Sequence, residues 1–280
     1  MATTISLRHG STGTESRAYA FDNARSIQEQ RLRAIEELLD GGTIRLLEAR
    51  GVGLGWQCAE IGAGGGSIAG WLARRVGENG RVLATDLNVR FLQARPESNL
   101  EVLEHDVMVD DLPVEAFDLI HLRLLLAWLP EPREALRRLV CALKPGGWLV
   151  AEEMDFISVA PDPRLDERER ELFLRTNEVQ NAVLAEISGF DAAYGRRLAG
   201  DVAAAGLVEC GCEGRAGMWR GGDAGGRAWR LMLGQLRQPI VASGRVLKDE
   251  VEQVLELLAD PAFSFLSQTT VAAWGRRPEV

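Results

Sequence analysis

The stretch that most constrains this chain is the glycine-rich segment Glu60-Ile61-Gly62-Ala63-Gly64-Gly65-Gly66-Ser67. Residues 56–61 are typical of a short strand, and Ile68, Leu72 and Val76 follow the glycines at roughly helical spacing. Glycines let the backbone approach a ligand closely, and a helix N-terminus offers N–H groups without intrahelical partners. The segment therefore predicts a strand, a turn and a helix that bind a nucleotide-type cofactor, although surface turns are also rich in glycine.

Strand and helix patterns alternate after this segment. Further strands are predicted at residues 81–85, 100–104, 117–122 and 148–152, and a helix begins at Glu131-Pro132. Repeated strand–helix units of this kind indicate a parallel, doubly wound sheet. We expect an α/β protein with a Rossmann-like seven-stranded sheet, a helical N-terminal arm and helical lid insertions.

The chain divides into three predicted parts. Residues 1–50 form the arm, in which Asp40-Gly41-Gly42 ends a first helix and residues 43–50 form a second. Residues 51–155 form the core, continued by residues 191–217 and 263–280, with the last strand at about residues 265–274. Residues 156–190 and 218–262 are helical insertions. We expect them to cover the carboxyl edge of the sheet, where such folds bind ligands.

Composition excludes several function classes. The net charge of −9, from 41 acidic and 32 basic residues, disfavours nucleic acid and anionic membranes as partners. The apolar run at residues 124–129 is too short to span a bilayer, and the N-terminus lacks a signal-peptide pattern, so we expect a cytoplasmic protein. The four cysteines lack metal-ligand spacing and are expected to be reduced and buried, with no metal site.

The glycine segment resembles the first motif, E/D-x-G-x-G-x-G, of class I S-adenosylmethionine-dependent methyltransferases. Asp86 follows Gly66 by 20 residues and ends the second strand. His105-Asp106-Val107 is similar to the third motif of that family. The segment 117–121 with Leu129-Pro130 is similar to the fourth, and residues 143–149 to the turn before strand five. Within this family the chain most resembles the quinone-biosynthesis-like (type 11) small-molecule methyltransferases.

The resemblance implies a cofactor and a set of ligands for it. The cofactor would be S-adenosylmethionine, with Asp86 hydrogen-bonded to both ribose hydroxyls, Asp106 to the adenine amino group, and the Val107 N–H to the adenine ring. The implied cofactor-binding residues are Glu60, Gly62, Ala63, Gly64, Asp86, Leu87, His105, Asp106, Val107 and Arg123.

Methyl transfer from a sulfonium is an in-line displacement that depends mainly on proximity and orientation. A general base would help a phenol or an amine, and the candidates are His121 and Asp155. A histidine at a strand position such as His121 is more often satisfied by a neighbour than used as a base. Tyr19 and Trp128 are candidate substrate-binding residues, although Trp128 also fits a core position. Among the acids that end strand five, one is expected to face the substrate, unless all of them are solvated.

The sequence thus predicts a methyltransferase that acts on an O, N or C nucleophile of a small, largely apolar organic molecule. We expect it to work in specialised metabolism. A homodimer stays open. One alternative is an NAD(P)-dependent oxidoreductase, whose G-x-G-x-x-G motif would require glycine where Ser67 stands. Another is a protein that binds the cofactor but catalyses a non-methylating reaction such as cyclisation.

Overall fold

The computed structural model describes residues 25–92 and 97–279. In these ranges the helices are α1 (Arg25–Ala49), α2 (Ser67–Val76), α3 (Pro132–Ala142), α4 (Glu167–Ser188), α5 (Leu198–Ala204), α6 (Ala224–Ala242) and α7 (Lys248–Leu257). The strands are β1 (Gln57–Ile61), β2 (Arg81–Asp86), β3 (Leu100–Glu104), β4 (Phe117–Arg123), β5 (Leu143–Asp155), β6 (Ala160–Pro161), β7 (Val208–Arg215), β8 (Met218–Arg220), β9 (Ser264–Leu266) and β10 (Thr269–Arg276).

Seven strands form the main sheet in the order β3-β2-β1-β4-β5-β10-β7. The first five strands pair in parallel, whereas β10 runs antiparallel to both β5 and β7. This confirms the predicted α/β fold with a seven-stranded, Rossmann-like sheet. The strand order reverses direction between β1 and β4, and in open α/β sheets the crevice outside the carboxyl ends at such a point is where ligands bind.

A second, three-stranded sheet lies outside the predicted core. Its order is β6-β9-β8, and all of its pairings are antiparallel. The single last strand predicted at residues 265–274 is wrong, because β9 pairs in this small sheet and β10 in the main one. The chain turns between them, where the Ser267 N–H donates to the Gly217 carbonyl at 2.9 Å. Apolar alternation along 264–274 cannot reveal which sheet each half joins.

Helix α1 continues through the predicted stop at Asp40-Gly41-Gly42, so the two-helix arm is wrong. Glycine costs about 1 kcal/mol relative to alanine inside a helix, which tertiary contacts can offset. At Gly42 the lack of a side chain lets the guanidinium of Arg215 pack against α1, because a Cβ there would collide with it. Asp40 points its carboxylate at Arg123 and Ser67, at 2.9 and 3.1 Å, and does not end the helix.

The cysteines differ from expectation in burial. Cys58 is buried, whereas Cys141, Cys210 and Cys212 are exposed, the last two on the edge strand β7. All four are free thiols. No group of three or more His, Cys, Asp or Glu side chains is arranged to hold a metal ion within residues 25–92 and 97–279. In the same ranges, no helix combines the length and apolarity that crossing a bilayer requires.

An aromatic cluster ties α4 and α6 to the small sheet. Phe265 of β9 lies 5.2 Å from Phe173 of α4, 5.3 Å from Trp229 of α6 and 5.6 Å from Phe263 between ring centroids. Trp219 of β8 packs edge-on against Phe265 at 5.9 Å. Since Phe265 is fully buried and contacts every other ring, we take it as the centre of this cluster.

Phe265→Ala should therefore lower the free energy of unfolding by about 3–5 kcal/mol, because it removes a buried ring and leaves a cavity. Leu266→Ala on the same strand is the matched control, since Leu266 is 39% exposed, and it should cost only about 0.5 kcal/mol. Urea denaturation of both variants measures the difference. Equal losses would show that the cluster does not hold this part of the structure together.

Candidate functional site

A cavity of about 530 Å³ opens at the carboxyl ends of the parallel strands. The glycine turn after β1 and the residues after β2, β3, β4 and β5 form its floor, and α1 and α6 contribute to its walls. All ten residues predicted to bind the cofactor line it: Glu60, Gly62, Ala63, Gly64, Asp86, Leu87, His105, Asp106, Val107 and Arg123. Their contacts with a ligand stay a prediction, but the fold brings them to one place.

The glycine turn is held in a backbone conformation that favours glycine. Gly62, Gly64 and Gly66 have φ values of 70°, 55° and 80°, in the left-handed region. A Cβ on Gly64 would stand 3.2 Å from the side chain of Leu32, so α1 packs directly on the turn. The first N–H groups of α2 follow Gly66 at once. The turn therefore offers a narrow backbone cradle at the positive end of a helix.

Asp86 connects the end of β2 to this turn. Its Oδ2 accepts the Gly64 N–H at 2.9 Å, and its Oδ1 accepts the Asn88 N–H at 3.0 Å. A carboxylate has about four lone-pair sites, so each oxygen keeps capacity for a further donor. Asp86 is half-buried at the cavity wall, which suits an acceptor for ligand hydroxyls.

The residues after β3 present a neutral imidazole. His105 is 4% exposed, and neither ring nitrogen has a hydrogen-bond partner among the residues that the structure describes. Burial lowers the pKa of His105, against the raising effect of Asp110. One oxygen of Asp106 accepts the Met108 N–H at 2.9 Å and fixes the turn in which Val107 lies. The orphaned imidazole and the glycine cradle both fit a purine nucleoside such as that of S-adenosylmethionine.

Of the other predicted residues, Trp128 lines the cavity and its ring lies 4.4 Å from that of Phe190. Arg123 is fixed by Asp40 and by Thr43, each at 2.9 Å, so it joins β4 to α1. Tyr19 lies outside the described residues.

The two predicted bases do not line the cavity. His121 is fully buried, with Nδ1 2.6 Å from Glu60 Oε2 and Nε2 3.3 Å from Glu152 Oε1. The other oxygen of Glu152 accepts a hydrogen bond from Arg215. Asp155 is paired with Arg196 at 2.8 Å. The geometry thus gives both side chains partners within the protein, away from the space where a substrate would lie.

Burial by itself lowers the pKa of His121, but the carboxylates of Glu60 and Glu152 outweigh it and raise the pKa to about 9. Burial likewise opposes ionisation of Glu152, yet its hydrogen bond with His121 brings its pKa down to about 2. His121 is therefore an imidazolium between two carboxylates at neutral pH. A group that already carries its proton cannot act as a general base there.

Several lining residues were not predicted. Leu32 and Glu36 of α1 lie against the glycine turn, and Phe190 follows α4. Glu153, one of the three acids near the end of β5, is 1% exposed and lines the cavity. Two adjacent acids in the run 148–154 were the signal for an inward carboxyl, but strand alternation alone does not say which one faces the cavity.

The His121 cluster makes stability depend on pH. The folded-state pKa of about 9 lies above the ordinary value of 6.5, so the stabilisation is complete below pH 6.5 and is lost as pH rises through about 9. It amounts to roughly 3 kcal/mol. Urea denaturation gives the free energy of unfolding of wild type and of His121→Gln. We expect the difference between the two proteins to shrink by this amount between pH 6.5 and 9.5. Parallel stability curves for the two proteins would contradict the assignment.

Comparison with known proteins supports the reading of these motifs. The methyltransferase domain family matches residues 59–151. The chain is similar to methyltransferase str2 of Strobilurus tenacellus, with 36% identity over 99 residues that cover 35% of each protein. It is also similar to the ubiquinone/menaquinone biosynthesis C-methyltransferase UbiE of Pseudomonas putida, with 30% identity over 132 residues, 42% of this chain and 52% of the relative.

The chain thus spans from about a third to half the length of these curated relatives. Among solved structures, a methyltransferase-fold protein from Galdieria sulphuraria superposes with a TM-score of 0.51 at 14% identity, covering 86% of this chain and 85% of that one. This likeness concerns the fold. Residues 59–151 thus match the methyltransferase domain family, and the residues that resemble the class I S-adenosylmethionine-dependent motifs lie along the wall of one cavity.

Proposed function

We propose that this protein transfers the methyl group of S-adenosylmethionine to a nucleophile of a small organic molecule. The observation that carries the proposal is the convergence of the glycine turn, Asp86 and the unpartnered imidazole of His105 on one cavity. These three features come from the ends of successive parallel strands, and each supplies a group that a nucleoside-containing cofactor needs.

The cofactor supplies an activated sulfonium methyl when it is bound. The protein's part is to hold and orient. Asp86 would accept hydrogen bonds from ribose hydroxyls, His105 and the Val107 N–H would meet the adenine, and the turn with the α2 N-terminus would favour the carboxylate of the methionine moiety. Alignment of two bound reactants can supply most of the rate enhancement of such a transfer.

The remainder of the wall supports a small and largely apolar acceptor. Trp128, Phe190, Trp229 and Met232 line the cavity beyond the motif residues. Their surfaces exclude water, which strengthens electrostatic interactions within the site. The relatives named for ubiquinone and menaquinone biosynthesis also favour an organic metabolite as acceptor, and specialised metabolism is the setting we propose.

The acidic net charge of −9 supports a function without nucleic acid. The cytoplasmic location, a homodimer and the division into arm, core and lid stay predictions. So does the role of Tyr19 in substrate binding.

The second candidate is a protein of this fold that binds the cofactor without transferring its methyl group. The neutral His105 and the cradle would serve it equally well, so cofactor binding does not separate the two. The NAD(P)-dependent alternative is disfavoured because Ser67 stands at the third glycine position and its hydroxyl is bonded to Asp40 at 3.1 Å.

Binding of S-adenosylhomocysteine, the demethylated product, tests the cofactor site. Asp86→Asn keeps an acceptor for the Gly64 N–H but removes the charge that strengthens bonds to ribose, each worth about 1.5–3 kcal/mol. We expect calorimetric affinity to fall by roughly tenfold or more. Glu104→Gln, an exposed acid on the neighbouring strand, is the control and should bind as wild type does. Tight binding of NAD, or equal affinity of the Asp86 variant, would refute the site.

Methyl transfer itself is tested with isotopically labelled S-adenosylmethionine and metabolite extracts. We expect label in small organic products whose mass has risen by one methylene unit. Label in protein or nucleic acid alone would refute a small-molecule acceptor. Cofactor binding with conversion of a metabolite but no transfer of label would establish the second candidate.

A further inference from the structure

The carboxyl of Glu153 has no role in holding the cofactor, yet it is buried at the cavity. Its Oε1 accepts the N–H groups of Leu125 and Leu126 at 2.8 and 2.6 Å. Its Oε2 is buried without a hydrogen-bond partner among the described residues. A desolvated, unpaired carboxyl oxygen costs free energy, so such an atom calls for a partner. Because Glu153 lines the cavity, a bound molecule can provide one.

Three aromatic rings line the same cavity as this carboxyl. Trp128 belongs to the same 3₁₀ turn whose amides bind Glu153, and Phe156 follows Glu153 by three residues. Phe190 joins them, with ring centroids 4.4 Å from Trp128 and 5.1 Å from Phe156. Aromatic faces attract cations, and the attraction grows where water is excluded. We call Glu153, Trp128, Phe156 and Phe190 the acceptor end of the cavity.

The segments that carry the acceptor end, residues 124–130, 150–156 and 188–190, contain no Lys, Arg or His. Three arginines among the described residues line the cavity, and each has a contact elsewhere in the protein. Arg123 donates to Asp40 and Thr43, Arg31 donates to Gln28 at 3.1 Å, and Arg90 lies over the Phe91 ring at 4.8 Å. An anionic acceptor would therefore lie beside a carboxyl without charge compensation, whereas a cationic one would be paired.

We propose that the acceptor is an organic amine whose nitrogen is held by Glu153 Oε2 and whose substituents pack on the three rings. This rests on the proposed methyltransferase function and names its substrate class. Glu153 also has a chemical task, because a protonated amine has no lone pair with which to attack.

The ionised Glu153 removes the proton from the bound ammonium group, giving a neutral amine and a carboxylic acid. The amine lone pair forms the new N–C bond to the methyl while the C–S bond breaks and its electron pair stays on sulfur. The product leaves as a methylated ammonium ion, and Glu153 loses its proton to water. Burial raises the pKa of Glu153 to about 8, against the lowering effect of the Leu126, Ala127 and Leu125 amides, which brings it closer to that of an amine.

Other titratable groups near Glu153 are engaged elsewhere. The Tyr194 hydroxyl donates to Asp201 at 3.1 Å, and burial holds its pKa far above the ordinary value. Asp155 is paired with Arg196, and Glu152 with His121. On β10 the residue opposite Glu153 is Val271. Titration of Glu153 is therefore the expected source of pH dependence at the acceptor end.

The test uses choline and 3,3-dimethylbutan-1-ol, which share one shape and differ in charge. Both are titrated calorimetrically into protein saturated with S-adenosylhomocysteine, at pH 8.5 and constant ionic strength. Wild type should prefer choline by roughly tenfold or more. Glu153→Gln should lose the preference, because its amide oxygen still accepts from Leu125 and Leu126 but carries no charge. Glu78→Gln, an exposed acid in the turn before β2, is the matched control and should keep it.

A second measurement needs no variant. Choline is charged at every pH, so its affinity for wild type should rise by up to about tenfold per unit below the pKa of Glu153 and level off above it. Titrations at pH 7 in two buffers of different ionisation enthalpy should show release of nearly one proton per choline bound. The neutral alcohol should show neither effect.

Three results would overturn the amine assignment: wild type that does not prefer choline, which includes binding neither probe; a choline affinity independent of pH; or a preference that survives in Glu153→Gln. Each leaves the methyltransferase proposal standing as long as S-adenosylhomocysteine binds. Failure of wild type to bind S-adenosylhomocysteine refutes the proposed function instead, so the two failures are distinguishable.

Discussion

The structure depends on a line of buried charges across the carboxyl edge of the sheet. Glu60 of β1, His121 of β4, Glu152 of β5 and Arg215 of β7 follow one another by direct contacts. Desolvated charges are tolerated only when each is paired, so every member fixes its neighbour. The guanidinium of Arg215 lies against Gly42, so this charge line is in direct contact with α1. Since α1 also packs on the glycine turn, one helix connects the charge line to the wall of the cavity.

The two ends of that cavity are formed by different parts of the chain. The cofactor end comes from strand ends and short turns within residues 59–107, where the glycine turn and the side chains of Asp86 and His105 line the cavity. The acceptor end combines Glu153 of β5 with Trp128, Phe156 and Phe190, which lie in the segments that follow β4, β5 and α4. The family match covers the cofactor end and stops at residue 151, before Glu153, Phe156 and Phe190.

Local chemistry made the cofactor end predictable from sequence. Gly62 and Gly64 have positive φ values that favour glycine, and Asp86 ends the strand that follows the glycine turn. The spacing of these residues along the chain is therefore visible in the sequence. The failures all involve long-range contacts. Gly42 within α1 packs against Arg215, some 170 residues away, and the turn between β9 and β10 is hydrogen-bonded to Gly217. His121 was read as a candidate base because its two carboxylate partners lie on other strands. Glu153 was visible only as one of several acids.

The central claim is that this cavity holds S-adenosylmethionine with its reactive end toward Glu153. A crystal structure with S-adenosylhomocysteine tests it most directly. The account predicts both ribose hydroxyls within about 3 Å of the Asp86 carboxylate, the adenine beside His105, and the sulfur facing the space bounded by Glu153, Trp128 and Phe190. A ligand bound outside the cavity, or one whose sulfur faces away from Glu153, would contradict it.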